Sequence, residues 1–201
     1  MTGRTSDPSK KEESFLPLVI MGVSGAGKTT IGCEIARLLD LKYEDADNLH
    51  SEQSQKKMAS GQPLNDDDRM PWLEKVGNWL LDNHESGVIS CSALTHQYRE
   101  IIRLRVPDVQ FVFLSLDETI AQNRVSNRID HYMSPTLVHS QYELLEAPSA
   151  DEDVIWVDAS QSVDQILNSL LNSLTGTTYQ LDSQSKRPRP LRVEEVERFS
   201  I

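Results

Sequence analysis

Gly22-Val23-Ser24-Gly25-Ala26-Gly27-Lys28-Thr29 directly follows the apolar run Phe15–Met21, and that order decides the fold. A β-rich stretch (Leu18, Val19, Ile20) feeds a glycine loop, and a helical pattern begins near Lys28. This is the strand–loop–helix that G-x-x-x-x-G-K-[ST] requires. The glycines let successive backbone N–H groups turn inward at a helix N-terminus and form an anion nest. Lys28 is then expected to reach the β- and γ-phosphates and the Thr29 hydroxyl to ligate Mg²⁺, with Gly22 through Thr30 cradling the triphosphate of ATP. The alternative is a chance Gly-rich turn, which the flanking pattern disfavours.

Working outward, strands alternate with helices. Strands are expected at Leu16–Met21, Lys42–Glu44, Val88–Cys91, Gln110–Leu116 and Val154–Val157. Helices are expected at about 28–39, 51–60, from Pro71 onward, 95–105, 118–127, 135–146 and 163–174. Pro71 reads as a first-turn residue, because proline is favoured there, so G-Q-P-L-N-D-D-D-R reads as a loop ending at Arg69. The alternation predicts an α/β fold with a parallel sheet covered on both faces. Residues 1–14 read as a disordered polar tail, 15–175 as the folded domain, and 176–201 as an extension outside the pattern in which V-E-E-V-E-R-F could form a short helix.

Composition narrows the function. The chain has 201 residues, enough for one domain with a substantial core. Its formal net charge of −11 argues against a broad nucleic-acid or membrane surface, since the basic cluster Lys186, Arg187, Arg189, Arg192 lies in the Pro-containing tail. The two cysteines, Cys33 and Cys91, form no C-x-x-C and fit reduced thiols. Met1–Ser14 is polar, unlike a signal peptide, and the longest apolar run, Phe15–Val23, is too short to span a bilayer. A cytoplasmic location is expected.

A phosphate loop alone does not separate kinases from other NTPases; three further clusters do. Asp45-Ala46-Asp47 with His50 follows the second strand, and ligands of open α/β sheets bind beyond the strands' carboxyl ends. Asp47 could orient an acceptor hydroxyl and Asp45 hold a Mg²⁺-bound water; both could instead cap a turn. Arg69 offers a planar fork that matches a carboxylate, or merely neutralises Asp66–Asp68. Arg124 and Arg128, four apart at a helix end, suit a lid over the triphosphate, where a cation supplied in cis contributes on the order of 10³–10⁵ in rate; surface pairing with Glu118 or Asp130 is the alternative.

Together these segments resemble the gluconokinase family from about Leu18 to Leu174. The resemblance rests on M-G-V-S-G-A-G-K-T, D-A-D-x-L-H, K-M-A-S-G-x-P-L-N-D-D-D-R-x-P-W-L, C-S-A-L-x-x-x-Y-R and H-Y-M-x-x-x-L-V-x-S-Q-x-x-L-L-E-x-P. It implies a fold like shikimate and adenylate kinases, with strand order 2-3-1-4-5 and a lid, and phosphorylation of D-gluconate at its 6-hydroxyl. It also implies Lys28 and Thr29 on phosphate and Mg²⁺, Asp47 on the acceptor hydroxyl and Arg69 on the substrate carboxylate. Tyr98, Arg99, His131 and Gln141 would line or frame the gluconate pocket, and a homodimer would be plausible. Thr95 stands where the family usually has Lys, and Asp130 where it usually has Gly. The rival readings are another small-metabolite kinase, shikimate-like, and a catalytically weak nucleotide-binding regulator.

Overall fold

The computed structural model describes residues 16–127, 135–175, 179–181 and 188–190. The expectations for residues 1–14, Arg128, Asp130, His131 and 193–199 lie outside these. Five strands form a parallel sheet: β1 (Leu18–Met21), β2 (Lys42–Asp45), β3 (Gly87–Ser90), β4 (Gln110–Ser115) and β5 (Val154–Asp158). The order is β2-β3-β1-β4-β5, as the resemblance implies.

Because side chains alternate across a strand, a sheet covered on both faces needs near-continuous apolar runs. Leu18 and Ile20 of β1, with Val112 and Leu114 of β4, face one core layer. There they meet α1 (Lys28–Leu39) through Ile31 and Ile35, and α7 (Val163–Thr175) through Ile166, Leu167, Leu170 and Leu171. Val19, Met21, Phe111 and Phe113 face the opposite layer. That layer holds Trp72, Leu73, Val76 and Leu80 of α3 (Asp66–Asp82), and Tyr98 and Ile102 of α4 (His96–Arg105). Three more helices complete the described chain: α2 (Glu52–Ala59), α5 (Glu118–Ser126) and α6 (Pro135–Leu144).

One expectation is corrected. Pro71 lies inside α3 rather than opening it. The helix starts at Asp66 because Asn65 caps it: the Asn65 side chain accepts from Asp68 N (3.0 Å) and the Asp68 carboxylate accepts from Asn65 N (3.1 Å). This reciprocal box satisfies two orphan donors of the first turn. The extension also contributes structure: β6 (Tyr179–Leu181) and β7 (Pro188–Pro190) form an antiparallel pair outside the main sheet, with β6 against α7. Among the described residues no helix is long and apolar enough to cross a membrane.

Candidate active site

The loop after β1 owes its shape to glycine. Gly22 (φ 140°) and Gly25 (φ 85°) adopt backbone conformations that L side chains rarely reach. A Cβ at Gly22 would lie 2.9 Å from the Leu114 carbonyl oxygen, and one at Gly25 would lie 2.8 Å from that of Ala121. The loop therefore sits tight against β4 and α5. Gly27, also left-handed, caps α1 without a side chain, which leaves the first helical N–H groups open toward an anion. Lys28 curls back so that its Nζ donates to the Val23 carbonyl at 3.1 Å.

Asp45, the last residue of β2, meets this loop. Its Oδ2 accepts from the Thr29 hydroxyl at 3.0 Å, while its Oδ1 accepts from Asp47 N at 3.1 Å and caps the 3-10 turn Ala46–Leu49. The capping and metal-side readings of Asp45 thus fall on different oxygens of one carboxylate. Tyr43, earlier on β2, donates to the Ser90 hydroxyl of β3 at 2.9 Å, and burial pushes its phenol well above the ordinary range. Asp47 itself is exposed beside the loop. A hydroxyl and a carboxylate are donors that Mg²⁺ accepts, since that ion takes oxygen ligands from one or two side chains and keeps several waters. Among the described residues no cluster of three or more His, Cys, Asp or Glu forms an all-protein metal cage.

On the other side of the Asp45–Asp47 turn, α3 presents a stripe of side chains three apart, and such residues share a helix face. Trp72 Nε1 donates to the Ala46 carbonyl at 2.6 Å, and Lys75 Nζ donates to that of Leu49 at 3.1 Å, so α3 holds the turn in place. His50 stacks on Trp72, with centroids 4.4 Å apart and planes 11° from parallel. Burial first, then Lys75 and Arg69, lower its pKa to about 4, so the ring is neutral near pH 7. His50 Nδ1 is buried and has no hydrogen-bond partner among the described residues. Arg69 Nη1 donates to the Tyr98 hydroxyl at 3.1 Å, and that hydroxyl donates to Asp66 at 2.6 Å. Neutralising the acidic triplet is not chiefly the work of Arg69. Lys57 Nζ lies 2.7 Å from both Asp68 oxygens and, ahead of the Asn65 N–H, depresses that carboxyl's pKa, whereas Arg69 is 3.9 Å from Asp66.

The remaining candidate residues are placed as follows. Arg99 is fully buried, with Nε and Nη2 donating to Glu152 at 2.6 and 2.7 Å and Nη1 donating to the Glu146 carbonyl at 3.0 Å, which leaves it a framing residue. Arg99, opposed by burial, holds the Glu152 carboxyl far below the usual range, and Arg103 joins the pair from the next turn of α4. Arg124 is in the last turn of α5, its guanidinium bridging the carbonyls of Gly25 (3.3 Å) and Ala159 (3.0 Å). Gln141, on α6, accepts at its Oε1 from the Ser24 N–H of the phosphate loop at 2.7 Å. Thr95, at the position of a family Lys, caps α4 by accepting from Tyr98 N at 3.2 Å. Sequence reading missed Trp72 as the anchor of the acidic turn and Glu152 as the partner of Arg99. The helical spacing from Arg69 to Trp72 and Lys75 was the available signal for the first; nothing local marked the second.

A parallel sheet of this order, a phosphate loop on its central strand β1 and a carboxylate turn at the end of the edge strand β2 define a P-loop phosphotransferase. Residues 24–175 match the shikimate kinase family. Among individual proteins, the chain is 43% identical over 155 residues to the thermosensitive gluconokinase of Escherichia coli, covering 75% of this chain and 81% of that one. It is 38% identical over 185 residues to the gluconokinase of Arabidopsis thaliana, covering 84% and 97%. The crystal structure of a gluconokinase from Sinorhizobium meliloti superposes with a TM-score of 0.75 at 36% identity, covering 81% of this chain and 93% of that one. Within the shikimate-kinase-like class, the chain belongs to the gluconokinase family.

Proposed function

We propose that this chain transfers the γ-phosphoryl group of ATP to the 6-hydroxyl of D-gluconate, with Mg²⁺, in the cytoplasm. The observation that carries this reading is the Thr29–Asp45 hydrogen bond of 3.0 Å. It joins the nucleotide loop to the strand end whose next carboxylate, Asp47, would face the acceptor in this reading. Residues 22–30 bind the triphosphate through backbone N–H groups, and Lys28 exchanges its loop carbonyl for phosphate oxygens. Thr29 and Asp45 would hold the metal, which supplies charge neutralisation on the β- and γ-oxygens. Asp47 orients the acceptor oxygen and takes its proton as the P–O bond forms. The loose transition state asks more of positioning than of a strong base. Arg69, steadied by Tyr98, holds the carboxylate end of the substrate through its fork. Arg124 lies on the nucleotide side, latching the loop to the end of β5, and Arg128 belongs to the same reading as a γ-phosphate cation.

An ADP-release assay across gluconate, shikimate, glycerate and nucleoside monophosphates tests the reading. Release that depends on gluconate and is weak with the others supports it. Release driven by shikimate or a nucleotide instead, or binding of ATP with no acceptor-dependent turnover, overturns it.

A further inference from the structure

The phosphate loop is not empty-handed. Its Ser24 N–H, one of the backbone donors of the loop, is taken by the side-chain oxygen of Gln141 at 2.7 Å. This contact joins residues 117 apart in sequence. It is held from behind, because α6 is fastened to the start of α5. Tyr142 donates its hydroxyl to the Leu116 carbonyl at 2.9 Å, and His139 Nδ1 lies 2.8 Å from Glu118. Gln141 is thus delivered to the loop by a docked helix. A carboxamide oxygen is a neutral acceptor, weaker than a phosphoryl oxygen, whose hydrogen bonds from N–H groups are charge-assisted and roughly twice as strong.

We propose that Gln141 stands in for a phosphoryl oxygen on the unloaded loop and is displaced from Ser24 when the polyphosphate binds. Resting on the kinase reading above, this makes Gln141 a positioning residue: it occupies one loop donor and competes with the nucleotide for it. A ligand that binds only the competent fraction of a protein has its affinity lowered by that fraction. One neutral hydrogen bond is worth a factor of about 2 to 13, so removing it should tighten polyphosphate binding by roughly that amount.

Calorimetric titration of the full chain with the non-hydrolysable ATP analogue AMP-PNP, in Mg²⁺, tests this, with adenosine as the phosphate-free control. Gln141→Ala is expected to bind AMP-PNP about 2- to 10-fold tighter than the parent, with adenosine affinity unchanged. Gln141→Glu, which offers the same N–H a charged acceptor and repels phosphate, is expected to bind AMP-PNP more weakly. Circular dichroism establishes that each variant is folded. Equal or weaker AMP-PNP binding by folded Gln141→Ala overturns the proposal, as does equal tightening toward adenosine. If Ala does not fold, Glu decides: unchanged or tighter AMP-PNP binding overturns it. Failure of the parent chain to bind AMP-PNP at all would instead overturn the kinase reading.

Discussion

Arg69 is where the choice of substrate class becomes testable at a single side chain. Its bond to Tyr98 and its distance from Asp66 leave guanidinium donors for a planar anion. An ammonium would keep the charge but not the fork. Arg69→Lys should therefore raise KM for gluconate about 10- to 150-fold, the range expected for one charge-assisted hydrogen bond of about 1.5–3 kcal/mol, and leave KM for ATP nearly unchanged. Steady-state kinetics with both substrates checks this; an unchanged gluconate KM would assign Arg69 to charge balance alone. In the proposed reaction Lys28 serves the other substrate. Lys28→Ala should lower turnover by about 10²-fold or more, through loss of one preorganised contact to developing charge. The fold should persist, because Lys28 Nζ bonds a loop carbonyl rather than filling the core. Near-parental turnover in a folded variant would remove the phosphate loop from the mechanism.

At the scale of elements, the Arg99–Glu152 pair fastens α4 to the loop before β5 inside a nearly solvent-free site. Removing one partner leaves a buried charge uncompensated, which typically costs about 3–5 kcal/mol. Glu152→Gln should lower the urea midpoint accordingly, while the double change Arg99→Met with Glu152→Leu should recover most of the loss. If both variants matched the parent in urea, the pair would not be the fastening. This pairing also marks where sequence reading ran out. The strands were legible because their apolar runs must cover two faces, and the phosphate loop because its glycines are demanded locally. Arg99 was not, since its partner comes 53 residues later, and a local pattern cannot distinguish a buried arginine from one that binds substrate. The start of α3 was obscured differently. Pro71 gives a strong first-turn signal, yet the capping pair Asn65 and Asp68 fixes the start upstream. In β7, Pro188 and Pro190 hid a strand, because proline survives only at edges where no ladder donor is needed.

Over the whole molecule, protonation links the site to stability. The folded-state pKa of His50, about 4, lies below its ordinary 6.5 because burial, Lys75 and Arg69 oppose the imidazolium. Between these values the unfolded chain binds the extra proton and the folded chain does not. Stability is therefore complete above pH 6.5 and is lost as the pH falls toward 4. The parent should lose urea resistance across that window by at most about 3.5 kcal/mol, at about 1.4 kcal/mol per pKa unit, and by less to the extent that solvent screens the ring. His50→Phe, which keeps a ring on Trp72, should be flatter over the same window; identical slopes would place the sensitivity elsewhere. Glu152 adds a separate acid loss below the ordinary carboxylate range, since its depressed pKa favours the folded state only while it is ionised.

The same whole-molecule view sets the central claim, that a nucleotide loop and an acid-binding helix face meet across the Asp45–Asp47 turn so that phosphate passes to the far end of a sugar acid. Phosphorus NMR of the product formed from ATP, Mg²⁺ and D-gluconate tests it most directly. The account predicts a phosphomonoester resonance split by the two protons of the terminal CH₂, which places the phosphate on the 6-oxygen. A phosphorus signal coupled to a single methine proton, or inorganic phosphate with no sugar ester, would contradict it.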